Sequence, residues 1–296
     1  MFVRRIAIPA FLLVGAIFVG ARLLAISPWA DPHVDMHAYW ATRDGFDYLQ
    51  ATPGEVGAFL YSPAFAQALA PLTALPWPVF AALWTAILIA VLYWLSGRAT
   101  LLVGILPPVA LSIGIGQVDL LIAAVVVAGF RYPAAWALPL LTKVTPGVGL
   151  VWFFVRRDWR SLWLASAATL GVVAVSMAID PAGWAGWLDM LRRGHAPLAD
   201  AGLFVDLPLW VRFPVAAGIV AWGARTDRRW TVAVGTCLAM PTLWATSFTI
   251  LVAALPLIAL GSGAPAGAWL RRAGEQVGGR LRPATARHTT TARSAD

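Results

Sequence analysis

Lysine occurs once in this chain and cysteine once, and only 12% of its 296 residues carry a charge. Each scarcity excludes something. A lone Cys237 can form no intrachain disulfide, so disulfide scaffolds are out and the redox compartment cannot be read from it. No C-x-x-C, H-E-x-x-H, phosphate-binding G-x-x-x-x-G-K-[ST] or G-x-S-x-G run occurs, which removes the spacings that announce zinc, nucleotide and nucleophilic-serine chemistry. Gly114-Ile-Gly116 lacks the strand before it that a nucleotide loop requires, and reads as a place where helices pack closely. Above all, so little charge cannot clothe a water-soluble globule of this size.

What is present is apolar. Hydrophobic residues make up 60% of the chain and the mean hydropathy is +0.74. These values describe an all-α polytopic membrane protein. At about 20 residues per crossing, residues 1–262 have room for about ten transmembrane helices, within a range of eight to eleven if some are half-length. The formal charge of +8 would point to nucleic acid in a soluble protein. Here the placement of the arginines along the chain points to topology instead, and no nucleic-acid partner is expected.

The expected spans are Ile6–Ile26, Pro76–Ser96, Thr100–Gly116 and Val118–Phe130, then Ala134–Val155, Ser161–Ala178, Pro208–Ala224 and Trp230–Leu260. If Arg4 and Arg5 are inside, parity puts Arg98 and Arg131 inside and Gln117 outside. The run 134–155 then ends in Arg156-Arg157-Asp158-Trp159-Arg160 on the wrong side, unless it is two short helices meeting at Lys143-Val-Thr145-Pro146. Proline disfavours helix at the residue before it, and a lysine resists the bilayer centre, so a break there is the physical solution. A second break near Pro241 divides 230–260. Outer loops cover 28–75 and 179–207, and 263–296, rich in Arg, Gly, Ala and Thr, reads as a disordered basic cytoplasmic tail. This arrangement puts both termini in the cytoplasm, with ten arginines inside and three outside before the tail.

Polar candidates then fall on one membrane face: Asp31, Asp35, Gln117, Asp119, Lys143, Asp180, His195, Asp200 and Asp206. Asp35 stands in a D-x-x-x-Y frame with Tyr39, in a juxtamembrane stretch of the first outer loop. Partial burial there would raise its pKa toward that of a general base, while the plain alternatives are a loop carboxylate or a helix cap. His33 and His37 share a helical spacing but lack a third ligand nearby, so interfacial histidines are expected rather than zinc. Lys143 suits a phosphate held at headgroup level. Arg22 and Arg212, near the outer ends of their spans, are possible assistants, with snorkelling to the interface as the simpler role.

Ordered motifs then line up. Asp35-x3-Tyr39, Gly57-Ala-Phe-Leu-Tyr61-Ser-Pro63 running into Ala70-Pro71-Leu72, Gly116-Gln117-x-Asp119-Leu-Leu, and Leu141-Thr-Lys143-x-Thr145-Pro146 followed by Arg156-Arg157-x-Trp159 resemble glycosyltransferase family 87, the polyprenyl-phosphate-sugar-dependent transferases of the GT-C superfamily. The resemblance covers roughly residues 1–180. It implies a GT-C-like helical bundle in the plasma membrane that moves a mannosyl or arabinofuranosyl residue from a polyprenyl-phosphate donor to a glycolipid or glycan on the extracytoplasmic face, in cell-envelope synthesis. Asp35 matches the family's outer-loop catalytic aspartate and Lys143 the lysine of its K-x-T-P segment. Arg22 and Arg212 join Lys143 as candidate phosphate contacts, and Tyr39, Tyr61, Gln117, Asp119 and His195 as candidate sugar or acceptor contacts. No cofactor and no divalent metal are expected, because the donor's phosphate is its own leaving group. The chain is shorter than is usual for the family, and Asp119 stands where the family often has Asn. A transporter or flippase for lipid-linked sugars, or a non-catalytic accessory subunit, is the alternative. A transporter needs polar residues along a path through the bilayer, whereas these gather on one face.

Overall fold

The computed structural model describes residues 35–45, 48, 58–193, 204–205 and 207–261. The expected first helix, Arg22, Asp31, His33, His195, Asp200, Asp206 and the tail 263–296 lie outside the described residues. Within them the chain is all-α apart from one short antiparallel pairing, which sets Phe204 opposite Trp244 and Val205 opposite Leu243.

Two helical runs are long and apolar enough to cross a membrane: Trp77–Gly104, with 28 residues, and Trp159–Ile179, with 21. At 1.5 Å per residue they measure about 42 and 32 Å, enough for a hydrocarbon layer of about 30 Å. Trp159–Ile179 is capped by Asp158, whose carboxylate accepts from the Ser161 amide at 3.1 Å and its hydroxyl at 2.6 Å. It buries little of its surface; Trp163, Leu170, Val175 and Ile179 all face outward. An apolar helix that packs on one thin stripe is stable only if lipid covers the rest.

Elsewhere the apolar runs are divided. The expected crossings 100–116 and 118–130 are corrected here: Thr100–Gly104 continues the run from Trp77, and the chain restarts at Pro107. Pro107 and Pro108 open the helix Pro107–Ile115, since they lack the amide hydrogen that would continue the preceding one. Gly116 closes it at φ +77°, and the chain turns 111° into Asp119–Ala128. Each arm is about 15 Å long, half a bilayer. The run 134–155 is likewise split, into Pro133–Thr142 and Thr145–Val155, with Lys143 and Val144 at the break. A third pair, Trp230–Leu238 and Ala245–Ala259, breaks around Pro241. Counted among the described residues, full-length spans therefore number two, or three if the bent pair is one span.

These half-helices pack on one another rather than standing in lipid. Asp119–Ala128 buries Leu120, Ile122, Ala123 and Val126 completely. Trp136, the largest fully buried side chain, lies so close to Gly149 that a Cβ there would sit 2.0 Å from its ring. At the far ends of the same half-helices the arginines gather: Arg156 Nη1 pairs with Asp227 Oδ1 at 2.9 Å and donates to the Ala224 carbonyl, and Arg229 lies over the Phe130 ring.

Candidate active site

The site is built from the turns of the first two broken pairs and the helix Asp35–Ala41. Gly116 makes the approach possible. Its left-handed φ of +77° ends one arm, and a Cβ there would lie 2.4 Å from Met36 Cβ. Only glycine lets the turn meet the residue next to Asp35. Trp84 Nε1 donates to the Gly116 carbonyl at 2.8 Å and fixes the turn from the other side.

Four side chains then form a chain of contacts. Gln117 Nε2 donates to Asp35 Oδ2 at 2.7 Å, Lys143 Nζ donates to Gln117 Oε1 at 3.3 Å, and Lys143 Nζ pairs with Asp119 Oδ1 at 2.9 Å. An ammonium can only donate and a carboxylate can only accept, so the Gln117 amide has one orientation that satisfies both neighbours. Asp35 is half-buried, and Asp119 is completely buried. Burial pushes the Asp35 carboxyl up to about 6; the Asp119 charge adds to the rise, while the Lys143 ammonium and the Gln117 hydrogen bond oppose it.

The turn that carries Lys143 is strained. Val144 adopts φ +55°, ψ −64°, and the Thr145 amide donates to the Lys143 carbonyl at 2.6 Å. That is a γ-turn of the rare hand, centred on a β-branched residue whose backbone avoids positive φ. Pro146 at the start of the next helix holds it open on one side. On the other, both the amide and the hydroxyl of Ser62 donate to the Leu141 carbonyl, at 3.3 and 2.6 Å. Neighbouring Tyr61 shares a hydrogen bond with Tyr39, OH to OH at 3.0 Å, and its carbonyl accepts from Tyr48 at 2.6 Å. An apolar groove of about 370 Å³ begins at Val144 and Thr145 and runs past Leu140, Val148, Val151 and Phe213.

The tertiary structure thus brings Asp35, Tyr39, Tyr61, Gln117, Asp119 and Lys143 together and leaves Arg212 apart. Arg212 is neither a snorkelling residue nor a free cation. It is 4% exposed and donates to four backbone carbonyls: Leu207 at 2.5 Å, Leu238 and Met240 at 2.7 Å, and Pro241 at 2.9 Å. Those donors close the third broken pair and are not available to a phosphate. Asp180, also expected on the polar face, caps the helix Pro181–Arg192 through the Gly183 amide at 2.8 Å. His37 packs against Trp40 and Trp77. Sequence reasoning gave Ser62 no part in the site; its place directly after Tyr61 in an ordered motif was the only signal for it.

Broken apolar helices whose turns gather a half-buried carboxylate, a buried ion pair and a groove define a membrane-embedded helical protein with a polar cluster at its breaks. The sequence pattern of glycosyltransferase family 87 matches residues 59–286, most of the chain. The chain belongs to this family and is a glycosyltransferase. The match reaches well past residue 180, so the likeness extends into the C-terminal half; it begins after Asp35 and Tyr39. Searches of curated proteins and of solved structures return no match.

Proposed function

We propose that the chain transfers a mannosyl or arabinofuranosyl residue from a polyprenyl-phosphate donor to a lipid or glycan hydroxyl on the extracytoplasmic face, with Asp35 as the general base. The observation that carries this is the Asp35–Gln117–Lys143 chain of hydrogen bonds, which holds a carboxylate and an ammonium at a fixed separation through one amide. In the step, Asp35 takes the proton of the acceptor hydroxyl as its oxygen bonds to the anomeric carbon. The bond from that carbon to the phosphate oxygen breaks, and its electron pair stays on the phosphate. The leaving group gains a negative charge, which Lys143 stabilises.

Three further features support the reading. A carboxyl with a pKa near 6 is a stronger base than an ordinary aspartate and is still largely ionised at neutral pH. The groove beside Val144 and Thr145 is apolar, the surface an isoprenoid chain prefers. The arginines at the opposite ends of the half-helices favour a cytoplasmic location for that end, which leaves the site on the other face. Tyr61 and Gln117 keep a little exposed surface for an incoming sugar, with the completely buried Tyr39 hydrogen-bonded to Tyr61, and neither a cofactor nor a divalent metal enters the step.

The test is transfer of radiolabelled sugar from polyprenyl-phosphate-mannose or polyprenyl-phosphate-arabinofuranose in membranes containing the chain. Asp35→Asn is expected to fold normally and to lower turnover at least about a hundredfold. Near-normal transfer by that variant would take Asp35 out of the mechanism.

A further inference from the structure

Asp119, like Tyr39, has no exposed surface in this structure, and it is the completely buried carboxylate of the site. Its Oδ1 accepts from Lys143 at 2.9 Å, and Oδ2 has no hydrogen-bond partner among the described residues. A buried carboxylate with one oxygen unpartnered is costly, so its ion pair must account for its place. The lysine above it is the accessible partner, with 13% of its side chain exposed.

The donor inventory of that lysine is informative. An ammonium has three hydrogens to give. Two go to Asp119 Oδ1 and Gln117 Oε1, and the third has no acceptor among the described residues. Two fixed contacts turn a flexible four-carbon stem into a directed donor, and a full negative charge beneath it keeps the ammonium charged despite burial.

We infer that Asp119 is a positioning residue: it anchors the Lys143 ammonium from below so that one donor is left for an anionic phosphate, and it touches neither the phosphate nor the sugar. This rests on the transferase reading for the identity of the phosphate, but the anchoring itself does not. It also accounts for a carboxylate at a position where the sequence pointed to a sugar contact. A sugar contact would be served by an amide, whereas holding a buried ammonium in its charged form calls for an anion.

Two measurements on the full-length protein in detergent decide the matter. The first is a thermal cycle. Asp119→Asn strands a buried ammonium and is expected to lower Tm; Lys143→Met in the same chain is expected to restore at least half of that loss, because the pair is then removed together. Equal cost of Asp119→Asn with and without Lys143 would overturn the anchoring.

The second is binding of a probe, farnesyl phosphate, read as a rise in Tm. Wild type and Asp35→Asn are expected to be stabilised by it, with Asp119→Asn and Lys143→Met at least tenfold weaker in apparent affinity. Unchanged binding by Asp119→Asn overturns the proposal. If wild type itself shows no response while the thermal cycle holds, the phosphate reading fails and the anchoring stands. Transfer assays add the readout that separates positioning from sugar contact. Asp119→Asn should slow transfer from mannosyl and arabinofuranosyl donors by the same factor, and a changed ratio between them would make Asp119 a sugar residue after all. The charges within reach of the Asp35 carboxyl are Asp119 and Lys143, with the Tyr39 and Tyr61 hydroxyls beside them. Removing the Asp119 charge should therefore move the acid limb of kcat/KM to lower pH, a shift that loss of packing alone would not produce.

Discussion

Two buried cations, Lys143 and Arg212, each lie near the break of a divided apolar helix pair, and they do opposite things. Lys143 faces a carboxylate and an amide oxygen and has a third donor with no acceptor among the described residues. Arg212 has four contacts to backbone carbonyls, three of them, Leu238, Met240 and Pro241, at the break between the third pair of half-helices. A guanidinium offers five donors in a rigid fork, which suits it to gathering several fixed acceptors; an ammonium is a compact charge on a flexible stem, which suits it to an acceptor that comes and goes. The difference shows that a charge in an apolar segment is not thereby a site. What separates the two is what their donors face: backbone carbonyls fixed by the fold at Arg212, side chains of the site at Lys143.

That comparison can be broken most directly at Arg212. Arg212→Met strands four carbonyls in an apolar interior and is expected to destabilise the protein by about 3–5 kcal/mol, the scale for breaking a buried charged network. Its yield and Tm in detergent should collapse, whereas a folded, stable variant with lost donor binding would make Arg212 a phosphate residue and erase the contrast.

Lys143→Met should do the reverse. Turnover is expected to fall at least about a hundredfold, equivalent to about 2.7 kcal/mol of barrier, in the fraction that stays folded once Asp119 has lost its partner, and Lys143→Arg should keep part of the activity because it keeps the charge. Rate against donor concentration for both variants checks this. Equal activity of Lys143→Met and wild type would show that the phosphate is held elsewhere.

The ionisation of Asp35 sharpens the contrast further. Its acid form is inactive as a base, so kcat/KM should be constant at neutral pH and fall about tenfold per pH unit below about 6. Lys143→Met removes the cation that favours the carboxylate, so the limb in that variant should move to higher pH. A limb near pH 4 in wild type would mean that the carboxyl is not desolvated as the structure has it.

The smallest effect belongs to a third cation. Arg156 pairs with Asp227 at 2.9 Å, but both side chains are largely exposed. Asp227→Ala should change stability by no more than about 1 kcal/mol, less at high salt. A loss comparable to that of Arg212→Met would mean that exposure does not sort these cations as argued.

Much of the site could be read from the chain itself. A single lysine before Thr145-Pro146 in an apolar run requires a break, because neither the missing proline amide nor the ammonium fits mid-bilayer. The frame Asp35-x3-Tyr39 and the pair Gln117 and Asp119 were visible as polar residues at the edges of apolar segments. Both the class, an all-α chain too greasy for water, and the family motifs lie in composition and order.

Which of these residues meet, and in what depth order, only the tertiary structure decided. Hydropathy gives the length of an apolar run but not whether it stands in lipid or folds back on itself, so 100–116 reads as a crossing until Pro107 and Pro108 divide it. A carboxylate at a helix start looks the same in sequence whether it faces a sugar, as expected of Asp119, or lies beneath an ammonium, as it does. Arg212 is the plainest case. Its partners are the carbonyls of Leu207, Leu238, Met240 and Pro241, and every residue carries the same backbone carbonyl, so no side-chain pattern could announce them. Burial and pairing depend on what the remote chain places alongside, and that is set by packing between segments, not by the order of residues within one.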